Sequence, residues 1–161
     1  MKKWILVSTL LLLGLGGCAT RNCDTSAEGS SCRADYLLYQ NDMLQAKLWI
    51  NERRQENYEL AAALLKRAAR QDTTGEAEFY QAILLLRLGA VDAEIDKMLK
   101  ESADRKYPLA IALLAQRTAT HDQEKALTYR SQYEDLDVSK SGYPSFPQAL
   151  SVVNQLVLRK N

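Results

Sequence analysis

Residues Leu64–Ala82 read LLKRAARQDTTGEAEFYQA, and residues Met98–Ala115 read MLKESADRKYPLAIALLA. Laid 34 positions apart, Leu64, Leu65, Lys66 and Ala69 of the first stretch meet Met98, Leu99, Lys100 and Ala103 of the second. Laid 33 apart, Ala77 and Ala82 meet Ala110 and Ala115. A third, worn copy begins at EKALTY, where Lys125 and Leu127 lie 28 positions after Lys97 and Leu99. Self-similarity at such a period is the mark of one supersecondary unit stacked on the next.

Outward from these stretches, almost everything after Ala34 reads as helix. No proline falls between Arg33 and Tyr107, and Ala, Leu, Gln, Glu, Arg and Lys dominate over β-branched residues. A first helix is predicted over Arg33–Arg54, with Tyr36, Tyr39, Met43, Ala46 and Ile50 at spacings of three and four. The second is capped near Asn57 and runs through Leu60, Leu64, Leu65 and Ala68 to Arg70. QDTTGE is a turn with Thr73 or Thr74 as cap, followed by Glu76–Leu88 with Phe79, Ile83 and Leu86 on one face. Gly89 breaks that helix, and Asp92 caps the next, which carries Ile95, Met98, Leu99 and Ser102. Pro108 suits a helical first turn, where its missing N–H goes unused. His121-Asp122 opens a helix through Ala126, Leu127 and Tyr129. DVSKSGYPSFP is an irregular loop, and Pro147 opens the last helix through Leu150, Val153 and Val157.

Ala61–Ala69, Ala77–Leu85, Met98–Ala103, Leu109–Ala115 and Glu124–Tyr129 together resemble the Sel1-like branch of the tetratricopeptide superfamily. Its first helices read like EKALxxYxxAA, and its second helices alternate small and large residues. The resemblance covers about Tyr58–Glu134, and the usual turn glycines are reduced to one in RQDTTGE and none in DRKYP. It implies an all-α fold of antiparallel helix pairs in a short repeat solenoid, with small residues letting paired helices approach closely. A compact helical bundle is the alternative.

The N-terminus has a separate character. Lys2 and Lys3 precede an apolar run, Trp4–Leu13, broken only by Ser8 and Thr9, and small residues Gly14, Gly16 and Gly17 follow. The order is that of a secretory signal, and the run is too short to span a bilayer comfortably. Leu15-Gly16-Gly17-Cys18 resembles the lipobox of bacterial lipoproteins. The resemblance implies residues 1–17 as a signal that is cut away, with Cys18 becoming the lipid-modified first residue. A thiolate is the nucleophile suited to forming that thioether. Several palmitate-type acyl chains on Cys18 hold a protein to a membrane far more firmly than one chain does. Ala19 resembles the outer-membrane sorting pattern, so the expected location is the outer membrane, lipid-anchored and facing the periplasm.

Residues 18–33 then form a polar tether and residues 34–161 the helical repeat-like domain. An oxidising envelope favours a disulfide between Cys23 and Cys32 across the short loop DTSAEGSS. Free or intermolecular thiols and a metal site are the alternatives, the last short of ligands because His121 is the chain's one histidine. Loss of Lys2 and Lys3 leaves 19 basic against 20 acidic residues, a formal charge of −1. That balance gives no basic patch for nucleic acid, and no cofactor is expected.

No phosphate-binding glycine loop or Ser/His/Asp set stands out, so no enzyme is expected. His121 sits in the polar turn TATHDQEK and reads as a solvated loop residue. Asp92, Glu94 and Asp96 read as the charge bias of a helix start. Of the eight tyrosines, Tyr80, Tyr107 and Tyr129 are expected to fill space between helices. Tyr143, with Phe146 in SGYPSFP, is the candidate for docking a partner. The combined expectation is an outer-membrane lipoprotein whose helical domain acts as an adaptor for envelope protein partners. An envelope inhibitor or immunity-type lipoprotein acting through the Tyr143 loop is the rival.

Overall fold

A computed structural model describes residues 30–136 and 142–158, and every regular element among them is helical. They are α1 (Ser30–Glu52), a 3₁₀ turn at Gln55–Asn57, α2 (Tyr58–Ala68), α3 (Glu76–Leu88), α4 (Asp92–Asp104), α5 (Pro108–Thr118), α6 (Gln123–Glu134) and α7 (Phe146–Val157). The compact unit Ala34–Asn161 carries α1 from Ala34 onward and all the later helices. Cys18, Cys23 and the side chain of Cys32 lie outside the described residues.

Packing follows chain order from α2 to α6: α2 lies on α3, α3 on α4, α4 on α5 and α5 on α6. The links after α3, α4 and α5 are only three or four residues long, and links of that length make neighbouring helices antiparallel. The last helix departs from the order, for α7 packs on α5 and also reaches α3 and α6. The protein is therefore an all-α stack of helix pairs that its last helix closes.

The 34-residue offset is an offset of burial as well as of identity. Ala61, Leu65 and Ala68 of α2 are buried, and so are Ile95, Leu99 and Ser102 of α4 at the matching places. The third copy does not keep the expected register, because Leu127, set against buried Leu99, is 60% exposed. Instead α6 turns Tyr133 fully inward, with Ala126 and Tyr129 half-buried. These three follow Ile95, Met98 and Ser102 by 31 positions. The stretch before α6 is shorter: Arg105–Tyr107 spans three residues where Ala69–Gly75 spans seven, and α5 has 11 residues where α3 has 13. Leu60 also departs from its expected core position and is 53% exposed.

Helix ends show how the missing turn glycines are managed. Gly89 closes α3 in the left-handed region (φ +72), with Gly89 N–H donating to Leu86 O and Ala90 N–H to Leu85 O. At the end of α4 the same conformation falls on Lys106 (φ +64), whose N–H donates to Ala103 O while Tyr107 N–H donates to Ser102 O. At Asp122, where a helix is expected to open, the side chain caps α6 by accepting from Lys125 N–H at 3.0 Å. For α4 the cap is Val91, and Asp92 takes the first helical position.

Two arginines tie the region at the end of α1 to the end of α7. Arg87 of α3, buried, donates through Nη1 to Ile50 O of α1 and through Nε and Nη2 to Leu156 O of α7. Arg53, at φ +58, donates to Gln155 O and Leu158 O at 2.8 and 2.7 Å. Last-turn carbonyls have no intrahelical partner, so these guanidinium groups satisfy them.

Candidate functional site

The site begins at the α2–α3 turn. Asp72 is buried, and its Oδ1 accepts from the Thr74 N–H at 2.8 Å and the Thr74 hydroxyl at 2.7 Å. Its Oδ2 accepts from the Ala77 N–H at 2.7 Å, tying down one of the free donors of α3. Asp72 therefore does most of the capping expected of Thr73 or Thr74, though Thr74 Oγ1 also accepts from Glu76 N–H. Gly75 (φ +82) lets this turn sit against α4, where an added Cβ would come within 2.7 Å of Ser102 O. Ser102 Oγ donates to Gly75 O, and Arg105 Nη1 donates to Asp72 O while pairing with Glu78 Oε1.

Four tyrosines gather around this turn. The Tyr39 hydroxyl donates to Asp72 Oδ1 and the Tyr107 hydroxyl to Glu76 Oε1, both at 3.3 Å. Tyr36 and Tyr143 complete the walls of an open cleft of about 440 Å³. Behind it, Phe79 packs its ring against Tyr80 and Tyr107 with centroids 5.3 and 5.2 Å apart. The contributors on the repeat side come from every second turn, those after α2, α4 and α6: Asp72, Tyr107 and Tyr143 are 35 and 36 residues apart. Stacking helix pairs thus converts a sequence period into neighbours along one edge.

The electrostatics of the cleft follow from burial and its two carboxylates. Burial, then Asp72 and Glu76, push the Tyr39 hydroxyl well above the ordinary phenol range. Burial and Glu76 push Tyr80 up to about 12, and burial followed by Glu76, Tyr80 and Tyr143 pushes Tyr107 higher still. The phenols stay protonated and remain donors. Burial alone would raise the Asp72 carboxyl, but the N–H groups of Ala77 and Thr74 with the Thr74 and Tyr39 hydroxyls outweigh it and hold it low. Lys47 Nζ pairs with Glu76 Oε1 at 2.5 Å and stands 5.4 Å over the Tyr80 ring.

The two rings singled out in the sequence part company here. Tyr143 is 44% exposed and lines the cleft. Phe146 is half-buried, edge-on to Tyr133 at 5.2 Å with the Arg130 guanidinium 5.5 Å over its ring, and so serves the fold. Tyr107 is buried as expected, while Tyr80 and Tyr129 are half-buried. Tyr36, expected on the inward stripe of α1, is 60% exposed. Asp92 and Asp96 do more than bias a helix start, since Arg117 of α5 pairs with both at 2.9 and 3.0 Å. His121 is exposed, with its Nδ1 3.4 Å from the Thr120 hydroxyl.

A second feature lies on α1. Met43, Ala46 and Ile50 face inward, while Leu37, Leu44 and Leu48 are all more than half exposed. Spacings of seven and four place the three leucines on one stripe of the helix. Among the described residues no helix is long and apolar enough to cross a membrane, and no group of three or more His, Cys, Asp or Glu is placed to hold a metal ion. Comparison with protein-family models, with curated proteins and with solved structures gives no match for this chain.

Proposed function

We propose that this protein is a non-enzymatic lipoprotein of a bacterial outer membrane, anchored through acyl chains on Cys18, whose helical domain is an adaptor for an envelope protein partner. The address rests on the Lys2-Lys3, Trp4–Leu13 and Leu15–Cys18 pattern. The adaptor role rests on the exposed stripe of Leu37, Leu44 and Leu48, because apolar side chains aligned on one face mark a protein-contact surface. Anchoring confines the domain near the membrane and raises the effective concentration of a partner held there.

Photo-crosslinking from position 44 of the lipidated protein in cells tests the reading. A single crosslinked partner that disappears when Leu48→Glu is added on the same stripe supports the adaptor. Recovery of abundant outer-membrane proteins without preference, unchanged by that substitution, overturns it. Cys18→Ser tests the anchor and should leave the protein unprocessed or free of membranes. Exposure of Tyr143 favours one second reading, an inhibitor that works through its loop. Under that reading Tyr143→Ala abolishes partner capture and Leu48→Glu does not.

A further inference from the structure

We infer that the tyrosine-walled cleft binds a cationic side chain, arginine or lysine, presented by an extended segment of the partner protein. The occupant being a protein segment rests on the adaptor reading. The cation preference rests on the cleft.

Its walls are the rings of Tyr36, Tyr39, Tyr107 and Tyr143, and its charged lining residues are Asp72 and Glu76. Among the described residues no lysine or arginine lines it, so phosphate, sulfate and carboxylate ligands meet repulsion. The carboxylates also act through the rings. Tyr39 and Tyr107 each donate a phenol proton to one of them, which enriches the ring face that a cation meets.

The chain performs this recognition on itself at Glu76, one of the lining residues. Lys47 is held by Glu76 and the Tyr80 ring together, an ammonium between one carboxylate and one tyrosine face. The cleft offers the same pair of elements in greater number. Asp72 is buried and accepts four hydrogen bonds but makes no salt bridge among the described residues, so its charge acts on the cleft through space and through the Tyr39 ring. A volume of about 440 Å³ accommodates an arginine or lysine side chain with neighbouring backbone, and its open mouth admits an extended chain.

The test uses the full lipidated chain in detergent micelles with labelled tyrosine rings followed by NMR. Probes are the end-blocked peptide Gly-Gly-Arg-Gly-Gly, its uncharged citrulline counterpart, and tetramethylammonium chloride. The arginine peptide should shift the Tyr36 and Tyr143 rings and weaken as salt rises, with the citrulline peptide about tenfold weaker or worse. Tyr36→Ala and Tyr143→Ala, both at exposed positions, should each lower affinity about three- to tenfold. Lys47→Met should raise it, because Glu76 loses its internal cation; a merely structural role for Lys47 gives the opposite sign.

Equal binding of the citrulline peptide, or rings unmoved by the arginine peptide, overturns the inference. Preference for tetramethylammonium assigns the cleft to a choline-type head group and overturns the peptide occupant. If the rings stay unmoved while position 44 still captures a partner, the adaptor stands and the cation site falls. Cation-selective binding with no captured partner has the reverse meaning.

Discussion

Replacing Arg87 by Met should separate the two ends of the domain. The guanidinium is buried and satisfies last-turn carbonyls of two helices remote in sequence, Ile50 O and Leu156 O. Methionine keeps most of the apolar stem and removes all three donors. The Arg53 N–H still reaches Ile50 O at 3.2 Å, so the heavier loss falls on Leu156 O. A buried carbonyl left without its partner costs about 1–3 kcal/mol. Relief of the buried charge offsets part of the sum for two carbonyls. The net expectation is a loss of about 2–4 kcal/mol, or roughly 6–16 °C in Tm for a domain of this size. Thermal unfolding followed by circular dichroism reads the total, and amide hydrogen exchange reads its location. Protection should fall first in α7, which docks by this contact and by Arg53. Arg87→Lys should lie between wild type and Arg87→Met, since one ammonium lacks the planar fork that spans both carbonyls. A loss under about 1 kcal/mol, or α7 amides exchanging no faster than those of α5, would show that apolar packing alone closes the stack.

Lys106→Gly should stabilise the protein by about 0.5–1 kcal/mol, because Lys106 holds φ +64 at the end of α4 where glycine carries no Cβ strain; a lowered Tm refutes this. Arg67→Ala should destabilise more than Asp42→Asn in urea titrations, since it strands the fully buried Asp42 carboxylate that Arg67 grips at 2.5 and 2.6 Å; the reverse order refutes it. Burial raises the Glu78 carboxyl above its ordinary value near 4.5, against the pull of Arg105. The folded state therefore binds that proton more tightly, and the Glu78 contribution to stability falls as pH rises through and above 4.5. Glu78→Gln should gain on wild type between pH 4 and pH 7, and a Tm difference that stays constant or runs the other way refutes the reasoning. Asp72, held low, has the opposite sign, so the advantage of wild type over Asp72→Asn should shrink as pH falls through about 3.8.

Helix positions were legible because apolar spacing and capping chemistry are local. Asp122 announces α6, and the paired Leu65 and Leu99 announce two buried faces. The exposure of Tyr36 was hidden by length. At about 1.5 Å per residue, α1 runs roughly 34 Å while α2 runs roughly 16 Å. An inward stripe on the longer helix therefore outruns its cover. Lys106 in the left-handed region was unreadable because lysine carries no preference for it, although the absence of glycine from DRKYP marked the place where something must bear the strain. Arg87 with Leu156, Asp42 with Arg67 and Tyr39 with Asp72 join residues 69, 25 and 33 apart, and no local pattern encodes such pairs. The third copy was misplaced for a local reason, since a match at Lys125 and Leu127 ignored the shorter turn before α5.

The cleft shows why its residues carry no motif. A phosphate-binding glycine loop is legible because one loop presents all its groups, whereas here Asp72, Tyr107 and Tyr143 come from three alternate turns, those after α2, α4 and α6. Each turn also serves the fold locally, since Asp72 caps α3, Tyr107 leads into Pro108 at the start of α5, and Tyr143 precedes the Ser145–Gln148 cap of α7. The stack supplies the alignment, so a change in turn length moves the site without touching a residue that lines it. Lengthening Arg105–Tyr107 toward the seven residues of Ala69–Gly75 would carry Tyr107 away from Glu76 and leave the carboxylate to Lys47 alone. The shortened turn that breaks the regular period is therefore also the one that brings an aromatic ring onto an acidic edge.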